Sequence, residues 1–323
     1  MILADFPPSL LRIFAVLFGL AWGSFLNVVI YRVPRGMSVV RPASACPTCG
    51  TPIPGYRNIP VLSYVLLWGR TACCKTKLSP RYPLVEAIGG MLAWAIVEQL
   101  ILTLPGDTSM LKATAIFLAS FALALALVAA AFIDLEHMYI PDWASIGGTL
   151  LGIATYSLRG TTTLTESLLG AAVGFLIVWL PFTFGYKLLR GQTGMGMGDA
   201  KLVMLAGAWF GWKGAVFALL AGAVQGTIAA IVLFLTKGKI EEPEAIREEK
   251  EAMMRELEAM SPEERAKAEA ELANDPIYEE LSGGLGQTRI AFGPFLVLAI
   301  LEYLLLGDTL IQDLFEWFTL PPI

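Results

Sequence analysis

The sequence contains few charged residues: Asp, Glu, Lys and Arg make up 16% of its 323 residues, whereas hydrophobic residues make up 56%. The mean hydropathy is +0.64, well above the balance of a soluble domain. This scarcity of charge excludes an ordinary soluble protein and indicates a polytopic membrane protein. The first apolar run, which begins near Ser9, also lacks a basic n-region and a small-residue cleavage site. It therefore predicts a retained anchor rather than a cleaved signal peptide.

Histidine is nearly absent, since His137 is the only one in the chain. A lone histidine at a membrane interface is more often a solvated or hydrogen-bonded side chain than a ligand, so we leave it out of the candidate sites. Acidic residues are missing from Arg32 to Tyr82, a segment that holds eight Arg and Lys residues. The positive-inside rule places this segment in the cytoplasm and the N-terminus outside.

Long apolar runs are the main positive feature of the sequence. Runs able to span a hydrocarbon core of about 30 Å, roughly 20 residues each, begin near Ser9, Leu84, Ala113, Trp143, Ser167, Lys213 and Ile290. A shorter run follows Asp199 as far as Phe210. The sequence therefore predicts an all-α polytopic membrane protein with about eight transmembrane helices and a cytoplasmic cysteine-bearing segment between the first and second.

The predicted domain boundaries follow these runs and the changes in charge between them. They are a first transmembrane helix at 1–32, the cysteine-bearing segment at 33–82, a transmembrane core at 83–236, an acidic cytoplasmic insert at 237–289, and the last helix with a C-terminal tail at 290–323. The insert has the composition of a solvated helical hairpin or a mobile loop, and we assign it no chemistry.

Two acidic residues follow apolar runs and return to the cytoplasmic face when the spans are counted onward: Asp134 in IDLEHMYIPD and Asp199 in GMGMGDAK. A charge at the edge of the hydrocarbon is expensive, so each is a functional-site hypothesis. Peptide hydrolysis by two aspartates needs one ionised to activate water and one protonated to assist the carbonyl. We interpret the two as the pair of an intramembrane aspartyl protease. Asp142 is the alternative for the first role, or it favours the first turn of a helix that starts at Pro141.

Glycines precede Asp199 at positions 196 and 198. They either let a substrate backbone approach Asp199 or form the turn, and the sequence favours neither explanation. The stretch is not a dinucleotide-binding fingerprint, because Asp199 stands where that motif has its third glycine. Gly170 and Gly174 predict close helix packing. Gly293 and Pro294 predict an interruption of the last helix near the cytoplasmic side, which is tolerated where the backbone faces protein or a wet cavity. Asn27 is polar within the first apolar run. Its side chain either makes an interhelical hydrogen bond or takes part in binding, and the sequence does not choose between the two.

The four cysteines, Cys46, Cys49, Cys73 and Cys74, all lie in the basic segment. Two groups of two thiols suggest a tetrahedral zinc site, although adjacent cysteines rarely both bind one ion comfortably. Free thiols in a reducing compartment are an equal alternative. Structural disulfides are not expected on this side of the membrane.

Seven motifs occur along the chain in a fixed order: GSFLNVVIYRVP from Gly23, CPTCG from Cys46, NIPVLSY from Asn58, LSPRYPLVE from Leu78, IDLEHMYIPD from Ile133, GMGMGDAKL from Gly194 and AFGPFL from Ala291. In this order they resemble the bacterial type IV prepilin peptidases, which act in type IV pilus and type II secretion systems. The resemblance covers nearly the whole chain outside the acidic insert.

The resemblance implies a leader peptidase and N-methyltransferase of the bacterial inner membrane, with its catalytic side in the cytoplasm. It implies that Asp134 and Asp199 are the catalytic pair, within a peptidase core at 83–236. The implied partners are prepilin or pseudopilin substrates and the lipid bilayer, with no nucleic acid. The implied methyl donor is S-adenosylmethionine, and its use is associated with the segment at 33–82.

One position departs from the family pattern, which carries G-x-C-x-x-C before LSPRYP. Here Thr71 occupies the position of the first cysteine in that pattern, and Cys74 occupies the position of the second. Either Cys73 substitutes as a ligand or the zinc site is incomplete. Two other classes of function stay open: a proton-coupled transporter that uses intramembrane carboxylates, and a membrane methyltransferase in which the aspartates are structural.

Overall fold

The computed structural model of the protein describes residues 1–46, 48–190, 195–237 and 291–319, with single positions between 238 and 290. Gly194 of the glycine stretch and nearly all of the predicted insert at 237–289 lie outside the described residues. The part of the chain that is described is mostly helical and contains no β-strand. The predicted all-α class is therefore confirmed for these residues.

Ten α-helices are defined within the described ranges. They are α1 (Pro8–Arg32), α2 (Leu62–Leu66), α3 (Arg81–Ile96), α4 (Met110–His137), α5 (Asp142–Ala154), α6 (Tyr156–Arg159), α7 (Leu164–Val178), α8 (Tyr186–Arg190), α9 (Met197–Lys237) and α10 (Gly293–Thr319). A π-helical segment continues α3 over Val97–Ile101, and another continues α7 over Trp179–Gly185.

Among the described residues, five helical segments are long and apolar enough to cross a membrane: Pro8–Arg32, Arg81–Ile101, Met110–His137, Leu164–Gly185 and Met197–Thr236. A shorter apolar helix covers Gly293–Gly307. With 13 residues, α5 falls short of the roughly 20 that a span needs. The predicted runs after Asp199 and from Lys213 together form α9. The total of about eight spans therefore stays a prediction.

The long helix α9 is broken at Gly211. Its backbone there has φ 72° and ψ −174°, a combination that only glycine adopts readily. The break divides α9 into a first half that carries Asp199 and a second half that begins after Gly211. Two separate apolar runs in the sequence thus correspond to the two halves of α9, on either side of this break.

The chain forms two compact units. Unit 1 comprises Met1–Ala129, Ser157–Gly160 and Leu301–Ile323. Within it, α1 and α3 approach so closely that a Cβ on Gly19 would lie 2.3 Å from the carbonyl oxygen of Gly89. Buried Asn27 donates from Nδ2 to the carbonyl oxygen of Tyr82 at 3.1 Å. The interhelical hydrogen bond considered for Asn27 is therefore present.

Unit 2 comprises Ala130–Tyr156 and Thr161–Ile300. Its helix α7 packs on the first half of α9 through glycines, since a Cβ on Gly170 would lie 2.3 Å from the carbonyl oxygen of Gly207. A Cβ on Gly174 would lie 2.4 Å from the carbonyl oxygen of Val203. The predicted close packing at Gly170 and Gly174 is confirmed, because only glycine leaves room for these backbones to meet.

Two hydrogen bonds also fix the first half of α9 within unit 2. Ser167 Oγ of α7 donates to the carbonyl oxygen of Ala208 at 2.6 Å. Trp209 Nε1 donates to the carbonyl oxygen of Gly148, in α5, at 2.8 Å. The helix half that carries Asp199 is thereby held by both α5 and α7.

Candidate functional site

Asp134 lies in the last turn of α4 and is only 5% exposed. The helix ends three residues later, where Met138 has φ 54° and donates its N–H to the carbonyl oxygen of Asp134 at 2.9 Å. Non-glycine residues rarely adopt this left-handed conformation. The turn is short, because α5 already begins at Asp142 after Pro141, as the sequence predicted.

The Asp134 carboxylate is held by the start of α10. Its Oδ2 accepts a hydrogen bond from the backbone N–H of Gly293 at 3.0 Å, in a buried setting. A Cβ on Gly293 would lie 2.5 Å from that oxygen and 3.1 Å from Cγ. Glycine is therefore required at this position for the backbone to approach the carboxylate.

The sequence predicted that Gly293 and Pro294 interrupt the last helix. In the structure α10 instead begins at Gly293, with Pro294 in its first turn. Proline is favoured there because its missing N–H has no helical partner to lose. The sequence marked this Gly-Pro pair but not its contact with Asp134.

Asp199 lies in the first turn of α9 and is partly buried. The backbone N–H of Gly196 donates to its carboxylate, so Gly196 forms part of the turn that leads into the helix. A Cβ on Gly198 would lie 3.0 Å from Ile140 Cβ, so Gly198 is packed against the segment that follows α4. Both observations agree with a turn-forming role for the two glycines.

Asp134 and Asp199 lie close enough in unit 2 for their carboxylates to interact electrostatically. Ile140 lies beside both Gly198 and Gly293. A Cβ on Gly198 would be 3.0 Å from Ile140 Cβ, and a Cβ on Gly293 would be 3.0 Å from Ile140 Cδ1. The structure thus brings together two carboxylates that are 65 positions apart in the sequence. No local pattern in the sequence marks Ile140 as the residue between Gly198 and Gly293.

Asp142 has a partner of its own. Its Oδ1 accepts a hydrogen bond from Lys201 Nζ at 2.5 Å, and the two residues form an ion pair between α5 and α9. The Asp142 side chain is 62% exposed, whereas the whole of Asp134 is 5% exposed. Asp142 also occupies the first turn of α5, where a negative charge is favourable.

The four cysteines form one cluster in unit 1. All four Sγ atoms lie within 4.8 Å of one another. Cys46 Sγ is 3.6 Å from Cys74 Sγ, and Cys49 Sγ is 3.3 Å from Cys73 Sγ. A tetrahedral zinc ion with Zn–S bonds of about 2.3 Å requires S···S separations of roughly 3.8 Å. The cluster therefore fits a four-coordinate metal site, and the adjacent Cys73 and Cys74 both take part in it.

Thr71, which stands where the family pattern has a cysteine, lies beside the cluster. Its Oγ1 is 3.2 Å from Cys74 Sγ. Hydrogen bonds from Thr71 and then Thr76 lower the pKa of Cys74 to about 5, whereas the hydrogen bond with Cys49 raises the pKa of Cys73 to about 11. Of the two alternatives that the sequence left, the geometry favours Cys73 as the replacement for the missing cysteine.

Comparisons with known proteins give two family matches. The profile of the Bacterial Peptidase A24 N-terminal domain matches residues 17–100, and that of the Type IV leader peptidase family matches residues 121–231. The first match contains the cysteine cluster, and the second contains Asp134 and Asp199. No solved structure gives a significant match.

Curated relatives match most of the chain. The "Prepilin leader peptidase/N-methyltransferase" of Neisseria gonorrhoeae is 36% identical over 249 residues, which cover 70% of this chain and 83% of the relative. Proteins of the same name are 34% identical in Myxococcus xanthus, over 93% of this chain and 92% of the relative, and 33% identical in Burkholderia pseudomallei strain 1026b, over 74% and 82%. With two profiles and relatives of this coverage in agreement, the chain belongs to the type IV leader peptidase family.

Proposed function

We propose that the protein cleaves the basic leader peptide of type IV prepilins and pseudopilins and then N-methylates the new N-terminal residue. Membership of the leader peptidase family and the names of its relatives support both activities. The main observation in support of the peptidase activity is that the carboxylates of Asp134 and Asp199 interact electrostatically within unit 2. One carboxylate is fixed by Gly293 and the other by the turn at Gly196.

The proposed hydrolysis uses one proton shared between the two aspartates. The ionised carboxylate removes a proton from a water molecule, and the resulting hydroxide attacks the carbonyl carbon of the scissile peptide bond. The protonated carboxyl donates its proton to the carbonyl oxygen. One hydroxyl of the gem-diol intermediate then returns its proton to the carboxylate that is now ionised, the C–N bond breaks, and the leaving nitrogen takes the proton that came from water. The pair again holds one proton. In this scheme Asp134 and Asp199 supply both the acid and the base.

We infer that the aspartates open toward the cytoplasmic face of the bacterial inner membrane. The segment from Arg32 to Tyr82, with eight basic residues and no acidic one, supports a cytoplasmic location by the positive-inside rule. The long apolar segments, with the two halves of α9 counted separately and α10 added, support seven spans. The proposal of about eight spans also counts the short helix α5. The five predicted domains, from 1–32 to 290–323, keep their proposed boundaries.

The cysteine cluster is proposed to hold zinc through Cys46, Cys49, Cys73 and Cys74. Bound there, zinc would fasten the two cysteine-bearing turns together and contribute to the folding free energy of the basic segment. The N-methyltransferase names of the relatives imply S-adenosylmethionine as the source of the methyl group. We assign none of the described residues to that donor.

The two rival classes have less support. A proton-coupled transporter and a methyltransferase without protease activity have no counterpart among the relatives named above. The family profile that covers both aspartates is that of a peptidase. The peptidase is therefore the proposal that we carry forward.

The test is the substitution Asp199→Asn, assayed in detergent with a prepilin that bears a basic leader and with mass measurement of the products. We expect cleavage to be lost and methylation of a pre-cleaved pilin to be retained. Asp107→Asn is the matched control, because Asp107 is an exposed aspartate in the loop before α4. Cleavage by Asp199→Asn at the rate of this control would overturn the proposal.

A further inference from the structure

An exposed apolar surface surrounds the short helix α2 in the basic segment. We define the α2 surface as Leu62, Val65, Leu66 and Trp68, whose exposed fractions are 49%, 61%, 67% and 89%. Apolar patches of this kind usually mark an interaction site. Trp68 is the most notable member, because a tryptophan side chain so far out of the protein interior gains no stabilisation from burial.

The backbone on both sides of α2 is strained. Val61, just before the helix, has φ 59°, and Trp68, just after it, has φ 53°. Residues other than glycine rarely adopt positive φ, and a β-branched valine does so least readily. Such strain persists where the surrounding structure enforces it, and it is concentrated at functional positions. The fold thus maintains a costly conformation that leaves apolar side chains outside.

Glu86 ties the start of α2 to a defined height along α3. The N–H of Val61 donates to Glu86 Oε2 at 2.7 Å, and Glu86 is the sixth residue of α3. At 1.5 Å per residue, Glu86 lies about 7–8 Å from the start of α3. With its π-helical continuation α3 has 21 residues, or about 31 Å, which matches a hydrocarbon core of about 30 Å.

This matching places Glu86, and with it the start of α2, about 7–8 Å inside the edge of the hydrocarbon core, within the depth of about 5–10 Å to which interfacial segments insert. Tyr64 reinforces the placement, because its hydroxyl donates to the carbonyl oxygen of Leu78 at 3.4 Å, just before α3. Apolar side chains at this depth lie beside lipid rather than water. Tryptophan is also the residue type that favours the membrane interface.

The charges around the surface complement anionic headgroups. Arg57 precedes α2 and Arg70 follows Trp68, and both are exposed. The whole stretch from Arg32 to Tyr82 has no acidic residue that would repel phosphate groups. An apolar patch bordered by arginines is the pattern of a segment that lies in the plane of the membrane interface.

We propose that the α2 surface inserts into the leaflet in which α3 begins, with Arg57 and Arg70 contacting phospholipid headgroups. The bilayer is then a structural partner of the basic segment as well as of the spanning helices. Cys73 and Cys74 follow Trp68 closely, so this contact holds the cysteine cluster at the membrane surface. The proposal is independent of the chemistry at Asp134 and Asp199.

The test places the full-length protein in nanodiscs of phosphatidylglycerol and phosphatidylcholine whose acyl chains carry bromine either near the headgroup or near the methyl end. Bromine quenches nearby tryptophan, and the emission of Trp68 is obtained as the difference between wild type and Trp68→Phe. We expect quenching of this emission to be about twofold or more stronger with bromine near the headgroup, since interfacial segments insert only about 5–10 Å. Acrylamide in the water should quench it weakly.

Trp94 provides the matched control for depth. It lies in α3, eight residues beyond Glu86 and thus about 12 Å deeper, and its side chain is 47% exposed. The emission lost in Trp94→Phe should be quenched more strongly by bromine near the methyl end. The opposite preferences of Trp68 and Trp94 would distinguish insertion at the interface from general access of lipid.

Two results would overturn the proposal. If acrylamide quenches Trp68 as fully as free tryptophan, the α2 surface faces water. If neither acrylamide nor either bromolipid quenches Trp68, another protein covers the surface, and a dependence on the number of chains per nanodisc would identify a second copy. Hydrogen exchange of residues 59–70 gives an independent measurement, and we expect slower exchange in lipid nanodiscs than in detergent.

Discussion

The contact between Gly293 and Asp134 predicts a large effect of the smallest possible substitution. In Gly293→Ala the new Cβ would lie 2.5 Å from Asp134 Oδ2, whereas non-bonded carbon contacts are favourable at roughly 3.5–4.0 Å. The carboxylate or the start of α10 must therefore move by about 1 Å. A misplacement of this size costs on the order of 100-fold in rate, or about 2.7 kcal/mol in transition-state stabilisation.

The assay is the initial rate of prepilin cleavage in nanodiscs, measured as kcat/KM, with methylation of a pre-cleaved pilin as a check that the chain is folded. Gly147→Ala is the matched control, since a Cβ on Gly147 meets nothing within 4 Å and that glycine lies in α5 of the same unit. Alanine there should raise the free energy of unfolding by about 0.5–1 kcal/mol and leave cleavage unchanged. A cleavage rate of Gly293→Ala within about threefold of wild type would refute the reasoning, because a displacement of the carboxylate by about 1 Å should lower the rate on the order of 100-fold.

Three further predictions concern the helix packing, the cluster and the acidic residue outside the pair. Gly207→Ala should lower the free energy of unfolding by about 1–3 kcal/mol, because its Cβ would lie 2.0 Å from the carbonyl oxygen of Gly170; an unchanged denaturant midpoint would contradict this. Elemental analysis of purified protein should find about one zinc per chain, lost in Cys46→Ser, and a metal-free, fully active protein would disprove the site. Asp142→Asn should keep cleavage within about fivefold, since a largely exposed ion pair contributes at most about 1 kcal/mol, while Asp134→Asn should abolish it. Equal losses in these two variants would return Asp142 to the catalytic role.

Local signals in the sequence predicted local features of the fold. Pro141 marked the start of α5, and Gly170 and Gly174 marked a close helix contact, because each effect depends on the residue itself and its near neighbours. The two acidic positions were found because charge is rare beside long apolar runs. For the polar Asn27 the sequence left two possible roles, and the structure identified its hydrogen-bond partner, the carbonyl oxygen of Tyr82.

Contacts between distant segments could not be read in the same way. The hydrogen bond between Gly293 and Asp134 joins residues 159 positions apart, and no local pattern encodes such a pairing. The interpretation of Gly293 and Pro294 as an interruption was wrong because the same two residues also favour a helix start. The place of Cys73 in the cluster required coordinates, since adjacent cysteines alone argue against joint binding of one ion.

The pairing of thiols across the cluster has a consequence for oxidation. Cys46 is nearest to Cys74, and Cys49 lies beside Cys73, so each neighbouring pair joins the two cysteine-bearing turns. Loss of the metal would expose these thiols to peroxide, and a sulfenic acid on one would condense with its neighbour to a disulfide. Two such bonds would keep the turns connected and leave no thiolate for metal to rebind. Preparations handled without reductant would then lose zinc, and a reductant would have to restore the thiols before zinc could bind again.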